Sequence, residues 1–397
     1  MNNSGNTDPR TGIYLDNAAT SFPKPECVYD AVNSFMRHNG AAVGRGSHAA
    51  AEAASRIVEQ CRQRLSVLLD AASADRVAFT FNCTDSLNLL LRGLLRPGDR
   101  VVTTSLEHNS VLRPLTDLQQ DGVDVEFVEF DSATGMVDPA DIAAAVAAGP
   151  THLVVLNHAS NVCGTIQPAK EVAEIAHAAD ARFLLDAAQT LGHIPLSVRD
   201  IGVDFLAAAG HKGLMGPLGT GVLYVADGLE QVLRSVRSGG TGTASESLQQ
   251  PITMPTLFES GNLNAPGIAG LNAAAEWILQ TSVDALHAAS HNLMTPLFES
   301  LAAIDGVRLH GTQSAEKNVG LLSFTVEGMD SREVATILDQ SFGIQCRPGL
   351  HCAPLVHRRL QTSESGGTVR LSVGAFNTAA DITAAADAVQ QIAAAGI

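Results

Sequence analysis

The sequence is poor in basic and in aromatic residues. Lysine and arginine number 25 against 41 aspartates and glutamates, which gives a formal net charge of −16, and aromatic residues make up 4% of the chain. A surface with this excess of negative charge repels phosphate backbones and anionic lipid headgroups. The composition therefore argues against nucleic acid and against membranes as binding partners.

Long apolar runs and paired cysteines are missing as well. No stretch of about 18 apolar residues occurs, so no membrane-spanning helix is predicted. The first nine residues are polar and lack the basic and apolar blocks of a signal peptide. The six cysteines are scattered, without a CxxC pair or a metal-ligand spacing: Cys27, Cys61, Cys83, Cys163, Cys346 and Cys352. We therefore expect a cytoplasmic protein without a disulfide framework or a metal site.

What is present is an alternation of short β-branched runs with alanine-rich helical patterns. With 397 residues, 45% of them hydrophobic, the chain can bury the cores of two domains. Strands alternating with helices predict an α/β fold with a large, doubly wound, mainly parallel sheet. We expect residues 17–265 to form that large domain and residues 266–397, together with 1–16, to form a small α+β domain. The predicted strands are Val77–Phe81, Val101–Ser105, Val123–Val128, Leu153–Asn157, Phe183–Asp186, Phe205–Ala208, Gly221–Val225, Leu321–Phe324, Gly343–Arg347 and Thr368–Ser372.

Polar side chains follow several of these strands where each one ends. In a doubly wound sheet the carboxyl ends of parallel strands form the ligand site. His211 and Lys212 follow one strand and precede a glycine-rich stretch, Asp186 closes another, and Gln189 lies three residues further on. A lysine that loses hydration becomes nucleophilic at neutral pH. A buried carboxylate can hold a pyridine nitrogen protonated, although a capping aspartate or a metal ligand would also suit Asp186.

Three further residues sit at the same predicted edge. His108 follows a strand, where an imidazole can stack on a planar ligand or move protons, although a structural histidine is the alternative. Thr84 opens a helix whose free N–H groups suit a phosphate, although an ordinary helix cap would look the same. Asn161 follows Leu153–Asn157 with polar neighbours.

The second half of the chain offers a nucleophile and two arginines. Cys352 lies in a loop with glycine and proline, and the nearby Arg347 and His351 favour a thiolate over an inert buried cysteine. Arg370 lies inside a predicted strand, where a guanidinium is costly to bury unless it is paired. A bidentate clamp on a carboxylate is its natural use.

Taken in order along the chain, these residues and their neighbours form a set of motifs. They are Tyr14–Thr20, Gly44–His48, Thr84–Asn88, Glu107–His108, Ser160–Thr165, Asp186–Gln189, Gly210–Lys212, Arg347–Cys352 and Arg370. The set resembles the cysteine desulfurases of the class V aminotransferase group, in particular those that include selenocysteine lyases, over roughly residues 13 to 390. One motif alone is weak, but the ordered set is specific.

The resemblance implies a fold, a cofactor and a reaction. The fold is that of the type I pyridoxal-5′-phosphate (PLP)-dependent transferases, as a homodimer with the site near the subunit interface. The reaction converts L-cysteine to L-alanine and leaves a persulfide on Cys352 for a sulfur-acceptor protein. Selenocysteine is the alternative substrate, and a selenocysteine lyase, a C–S β-lyase, another class V enzyme or a non-catalytic scaffold are the alternative functions.

The resemblance also implies a role for each site residue. Lys212 carries PLP as a Schiff base, and Lys212 or His108 removes the substrate proton. Asp186 meets the pyridine nitrogen, His108 stacks on the ring, and Gln189 meets the ring hydroxyl. The remaining roles are phosphate binding by Thr84, His211 and, from the neighbouring subunit, Asn262, and substrate binding by Asn161, Arg370, Arg347 and Arg45.

Two positions depart from the pattern of that family. Ala209 stands where a serine or threonine usually touches the phosphate, and Asn262 stands where a threonine usually reaches the phosphate of the other subunit. Asn262 still has a side-chain donor, but Ala209 has none. We therefore expect this protein to hold PLP more weakly than its relatives do.

Overall fold

The strand Leu153–Asn157 (β5) shows how the large sheet is built. Its side chains alternate between two separate cores, with Val154 and Leu156 in one and Leu153 and Val155 in the other. A strand that is apolar on both faces needs helices on both sides of its sheet. The computed structural model, which describes residues 12–396, places β5 near the centre of such a sheet.

The large sheet has seven strands in the order β2-β8-β7-β6-β5-β3-β4. Only β8 runs against the others, so the sheet is mainly parallel, as predicted. Because β8 is antiparallel to both of its neighbours, β2 is parallel to β7, and their carboxyl ends share one edge. Besides β5, the strands are β2 Val77–Thr80, β3 Arg100–Thr104, β4 Asp124–Val128, β6 Arg182–Asp186, β7 Phe205–Ala209 and β8 Gly221–Val225.

Helices cover both faces of this sheet. α3 and α4 pack on one face, while α2, α5, α6 and α8 contribute to the core on the other. The sequence accounts for where α3 begins, because the Asn82 side chain accepts the N–H of Asp85 at 2.9 Å. The helices that precede or follow the large-sheet strands are α1 Glu26–His38, α2 Ala49–Leu68, α3 Cys83–Leu94, α4 Asn109–Gln120, α5 Pro139–Ala147, α6 Ala169–Ala178, α7 Val198–Ile201 and α8 Ala265–Thr281.

A second, antiparallel sheet lies in the last third of the chain, with strand order β12-β13-β10-β9. It shares a core with helices α9, α10 and α12. A two-residue strand, β1 Ile13–Tyr14, pairs with β11 and so joins the N-terminal segment to this part of the fold. The elements are α9 Val283–Ala302, β9 Val307–His310, β10 Leu321–Val326, α10 Ser331–Phe342, β11 Ile344–Gln345, β12 Arg347–Gly349, α11 Pro354–Leu360, β13 Thr368–Ser372 and α12 Ala379–Gly396.

The structure differs from the sequence prediction in three places, because β1 and β9 were not predicted and one predicted strand is divided. Residues 343–347 do not form a single strand, because the chain changes partner at Cys346: β11 pairs with β1, whereas β12 pairs with β13. An alternating pattern shows that a segment is extended but does not show which strand it pairs with.

The division of the chain into two domains at residue 265 stays a prediction. Helix α8, which that division assigns to the small domain, buries Ile268, Leu271 and Ile278 in the core of the large sheet. Residues 1–11, which were expected to accompany the small domain, lie outside the described residues. No helix within residues 12–396 combines the length and the apolar composition that crossing a membrane requires.

Candidate active site

A cavity of about 190 Å³ opens at the carboxyl edge of the large sheet. Seven of the predicted site residues line it: Thr84, His108, Asn161, Asp186, Gln189, His211 and Lys212. The other residues of its wall are Asn82, Cys83, Ser110, Asn157, Ala188 and Ala209. The parallel sheet therefore gathers these side chains from strand ends that are up to about a third of the chain apart.

Residues near the start of the described chain hold the Lys212 segment in place through hydrogen bonds. The carbonyl oxygen of His211 accepts the backbone N–H of Ser21 at 3.1 Å and the ammonium of Lys24 at 2.9 Å. Ser21 Oγ also donates to the carbonyl of Lys212 at 3.0 Å. Burial lowers the pKa of the Lys212 ammonium, so the neutral, nucleophilic amine becomes more accessible at physiological pH.

Asp186 lies at the end of β6 and is buried. Its Oδ1 accepts the backbone N–H of Ala188 at 2.9 Å and lies 3.5 Å from Cys83 Sγ. Burial raises the pKa of this carboxyl group, while the Ala188 N–H and the charge of Lys212 oppose that rise. Gln189, one turn further on, donates from Nε2 to the carbonyl of Ala18 at 3.1 Å.

His108 caps helix α4 with its own ring. Nδ1 accepts the backbone N–H of Ser110 at 3.0 Å. Burial, together with the charges of Lys212 and Arg347, lowers the pKa of His108 to about 4, so the ring is neutral at physiological pH. Because Nδ1 must accept from an amide, the proton of the neutral ring resides on Nε2. His108 is therefore a hydrogen-bond donor through Nε2, which favours Lys212 as the group that takes a substrate proton.

One end of the cavity suits an anion. It is bounded by the first turn of α3, a 12-residue helix that includes Thr84 and whose N-terminal N–H groups point outward. The Nδ1 atom of His211 is buried there and has no hydrogen-bond partner within residues 12–396. Ala209 offers only a methyl group at this wall.

A guanidinium lies behind the cavity wall formed by Asn161. Arg370 is fully buried on β13, donates from Nη1 to the carbonyl of Asn161 at 3.0 Å and pairs through Nη2 with Asp16 Oδ1 at 2.8 Å. Burial lowers the pKa of Arg370, and Asp16 opposes this effect. Within the described chain, Arg370 Nε and Asn161 Oδ1 are buried without partners, which leaves one donor and one acceptor unsatisfied behind the cavity.

Cys352 lies on a loop that is tied to the same wall. The carbonyl of His351 accepts Asn161 Nδ2 at 2.6 Å, and the carbonyl of Cys352 accepts the N–H of Asn109 at 2.7 Å. Both His351 and Cys352 adopt positive φ, +48° and +59°, a conformation that costs non-glycine residues roughly 1 kcal/mol or more. The thiol is exposed, and Arg347 Nη2 lies 3.7 Å from its sulfur.

Five predicted site residues do not line the Lys212 cavity of this chain. Arg347, Cys352 and Arg370 are joined to its wall through the contacts described above, whereas Arg45 and Asn262 lie elsewhere. Arg45 is exposed and donates to the carbonyl of Gly240 at 2.8 Å. Asn262 lines a separate small cavity together with Arg237 and Glu259. Their proposed roles stay predictions.

The sequence reasoning assigned no role to Asp16, Cys83 or Ser110. Asp16 lies within the motif Tyr14–Thr20, and Asn82 and Cys83 directly precede Thr84. The only sequence signal for these residues was therefore their position next to, or within, a motif. The contacts that make these residues important join segments far apart in sequence.

Comparison with known proteins identifies the family. The aminotransferase class-V model matches residues 13–384. The chain belongs to that family. Among its relatives, a probable cysteine desulfurase of Methanothermobacter thermautotrophicus is 36% identical over 98% of this chain and 96% of that protein. A probable cysteine desulfurase of Pyrococcus abyssi is 34% identical over 93% and 91% of the two chains.

Solved structures agree with this assignment to the class-V family. The apo structure of the cysteine desulfurase of Thermococcus onnurineus NA1 matches with a TM-score of 0.90 and 32% identity, covering 97% of this chain and 96% of that one. The cysteine desulfurase CsdA of Escherichia coli matches with a TM-score of 0.85 and 29% identity, covering 96% and 94%. The resemblance to cysteine desulfurases and the predicted fold class are confirmed.

The Asp16–Arg370 pair gives a first testable prediction. Asp16→Asn removes the only described carboxylate that pairs with a fully buried guanidinium, and leaving a buried charge unpaired is costly. Because Asp16 itself is partly exposed, we expect the free energy of unfolding to fall by about 2–3 kcal/mol. Urea denaturation at neutral pH measures this loss.

The matched control for that measurement is Asp200→Asn. Asp200 pairs with Lys170 at 2.8 Å, but both side chains are more than half exposed, at 69% and 52%. Exposed pairs contribute about 1 kcal/mol or less. Equal losses in the two variants would contradict a special role for Asp16.

Proposed function

We propose that this protein is a PLP-dependent cysteine desulfurase that converts L-cysteine to L-alanine and leaves the sulfur on Cys352 as a persulfide. The observation that carries this proposal is that a buried lysine and an exposed thiol belong to the same site. Lys212 lies in the cavity, and the Cys352 loop is hydrogen-bonded to the cavity wall through Asn161. The family relationship supports the same reading.

The unsatisfied groups of the cavity fit PLP. His211 Nδ1 and the first turn of α3 are open to its phosphate, Asp186 is available to its ring nitrogen, and neutral His108 presents a flat ring. When bound, PLP supplies an aldehyde carbon for an amine and a pyridinium ring that accepts electrons. Lys212, with its lowered pKa, is the amine that binds this carbon.

The remaining residues act on the substrate. Arg370 binds the carboxylate of cysteine through its unpaired Nε–H. Asn161 joins it when its amide turns so that Nδ2, rather than the acceptor Oδ1, faces the carboxylate. These contacts orient the substrate sulfur. Lys212 takes the proton from the α-carbon and holds it for return to the product. The thiolate of Cys352, with Arg347 as a hydrogen-bond donor, attacks the substrate sulfur. The S–S bond forms as the carbon–sulfur bond breaks, and the electron pair of the broken bond stays on the β-carbon, which takes a proton from solvent. Lys212 returns its proton to the α-carbon, and alanine leaves.

The decisive experiment incubates the purified, PLP-loaded protein with cysteine and a reductant and quantifies the products. Alanine and sulfide in equal amounts are expected, because the reductant releases sulfur from the persulfide. Pyruvate with sulfide would indicate a β-lyase, and stoichiometric consumption of a keto acid would indicate an aminotransferase. A parallel reaction with selenocysteine compares the two substrates. Failure to bind PLP would point to a non-catalytic scaffold.

The wider setting of the reaction is also part of the proposal. We expect a cytoplasmic homodimer in which Arg45 and Asn262, which lie outside the Lys212 cavity of their own chain, serve the partner's site. An acceptor protein would take the sulfur from the exposed Cys352. Sedimentation of the purified protein tests the dimer, since a monomer that is fully active would overturn it.

Ala209 gives a prediction about cofactor affinity. Ala209→Ser adds a hydroxyl to the cavity wall at the position that faces the phosphate in relatives. A hydrogen bond to a charged group contributes about 1.5–3 kcal/mol, so we expect the PLP dissociation constant to fall about 10-fold or more. Ala208→Ser is the control, because Ala208 is buried in the core on the opposite face of the sheet. An unchanged constant in Ala209→Ser would contradict weak phosphate binding.

A further inference from the structure

Cys83 is a second thiol at the candidate active site, and the proposed reaction does not use it. It is the first residue of α3 and lines the cavity next to Thr84 and Lys212. Its side chain is only 8% exposed, so it is inaccessible to an acceptor protein that collects sulfur at the surface. Cys83 therefore differs from Cys352 both in its position and in its accessibility.

The contact of Cys83 with Asp186 is specific. Its sulfur lies 3.5 Å from Asp186 Oδ1, the oxygen that also accepts the N–H of Ala188. Within the described chain both hydrogen bonds to this carboxylate go to Oδ1. Oδ2 is thereby left as the oxygen available to a ligand in the cavity.

The thiol of Cys83 is held in its protonated form. Burial raises its pKa well above the ordinary value, the charge of Asp186 raises it further, and Lys212 opposes this only in part. A protonated thiol is a poor nucleophile but retains its S–H donor. Cys83 is therefore unsuited to carry sulfur and suited to donate to the carboxylate beside it.

We propose that Cys83 is a positioning residue that donates a hydrogen bond from its thiol to Oδ1 of Asp186 and so directs Oδ2 towards the ring nitrogen of the cofactor. The orientation of Oδ2 rests on the proposed function, whereas the hydrogen bond itself does not. The S–H donor also withdraws negative charge from the carboxylate. Cys83 thereby tunes the strength with which Asp186 holds a proton on the ring.

Another buried thiol provides an internal comparison. Cys61 is completely buried in α2 within the main core, and burial raises the pKa of its thiol well above the ordinary value. No carboxylate accepts a hydrogen bond from it among the described contacts. Cys61 and Cys83 are thus both buried and protonated, but among the described contacts only Cys83 has a carboxylate that accepts from its thiol.

The hydrogen bond can be tested in the protein without cofactor. The S–H stretching band of each thiol is isolated as the infrared difference between wild type and Cys83→Ala, or wild type and Cys61→Ala. We expect the Cys83 band at lower frequency than the Cys61 band, because an S–H bond weakens when it donates. Asp186→Asn should move only the Cys83 band, towards that of Cys61. If the Cys83 and Cys61 bands have the same frequency, and Asp186→Asn leaves the Cys83 band where it is, the proposal is overturned.

The tuning role needs the PLP-loaded protein and a second readout. The charged and titratable groups around Asp186 are Lys212, Glu107 and Cys83 itself. Without the S–H donor, Asp186 carries more negative charge and stabilises a cationic neighbour. The visible absorbance of the PLP-loaded protein is followed against pH. We expect the midpoint of its change to lie about half a pH unit higher in Cys83→Ala than in wild type.

Cys83→Ser separates hydrogen bonding from packing. Serine keeps a donor, so its midpoint should stay near that of wild type, whereas Cys61→Ala should not shift the midpoint at all. Equal shifts in the serine and alanine variants would overturn the tuning role, since lost volume would then explain both. If wild type binds no PLP, the proposed function fails, while the infrared measurement still decides whether Cys83 donates to Asp186.

Discussion

Replacing Cys352 with alanine is expected to abolish alanine formation from cysteine while leaving PLP bound. In the proposed reaction the substrate carbon–sulfur bond breaks as a thiolate takes the sulfur, and Cys352 is the exposed thiol that Arg347 contacts beside the cavity wall. Losing a nucleophile that acts in the chemical step removes about 10³-fold or more of the rate. The visible absorbance of the loaded protein should persist, because Lys212 and Asp186 are untouched.

Cys346→Ala is the matched control for this experiment. Cys346 lies six residues earlier, where the chain passes from β11 to β12, and it packs against the core of the small sheet. Burial raises its pKa to about 12, so it remains a thiol and cannot replace Cys352 as a nucleophile. We expect the rate of Cys346→Ala to stay within about twofold of wild type, because Cys346 does not line the cavity. Full alanine production by Cys352→Ala would show that another group takes the sulfur.

The site could be predicted where it depends on sheet topology. Asp186, Lys212 and Thr84 each follow a strand, and a doubly wound sheet brings the carboxyl ends of its parallel strands to one edge. The cavity therefore gathers the predicted residues at that edge. The alternation of short β-branched runs with alanine-rich helical patterns was sufficient information for this part of the fold.

The sequence could not reveal the contacts that depend on how distant segments pack. Asp16 and Arg370 are 354 residues apart, yet they form the ion pair behind the cavity. The thiol of Cys83 meets Asp186 across 103 residues. The positive φ of His351 and Cys352 is likewise imposed by hydrogen bonds from Asn161 and Asn109. Local propensity carries no information about partners of this kind.

Acid is expected to unfold this protein steeply between about pH 6.5 and pH 4. Burial lowers the pKa of six histidines to about 4, from an ordinary value of 6.5: His108, His158, His193, His211, His310 and His357. In this window the unfolded chain binds protons that the folded protein does not. Stability is therefore present above the ordinary pKa and is lost as the pH falls, by up to about 1.4 kcal/mol per pH unit for each histidine.

Buried carboxyl groups oppose this trend but are fewer. Burial and the charge of Asp186 raise the pKa of Glu107 from 4.5 to about 8. The folded state therefore binds the extra proton as the pH falls through that range, which stabilises it. Asp186 acts in the same direction, because burial raises its pKa too. These two carboxyl groups cannot offset the six buried histidines. We therefore expect the net free energy of unfolding to decrease steeply below pH 6.5.

His158 isolates one contribution to this acid sensitivity. It is fully enclosed, its Nδ1 lies 3.0 Å from Thr190 Oγ1, and burial alone lowers its pKa. Urea denaturation of wild type and His158→Gln at pH 6.5 and pH 5 measures how much free energy of unfolding each protein loses between the two pH values. The variant should lose about 2 kcal/mol less than wild type over this interval, because glutamine does not titrate. His38→Gln, at an exposed position in α1, should lose as much as wild type. An identical loss in His158→Gln would show that His158 titrates alike in the folded and unfolded states, and the buried histidines would not explain acid unfolding.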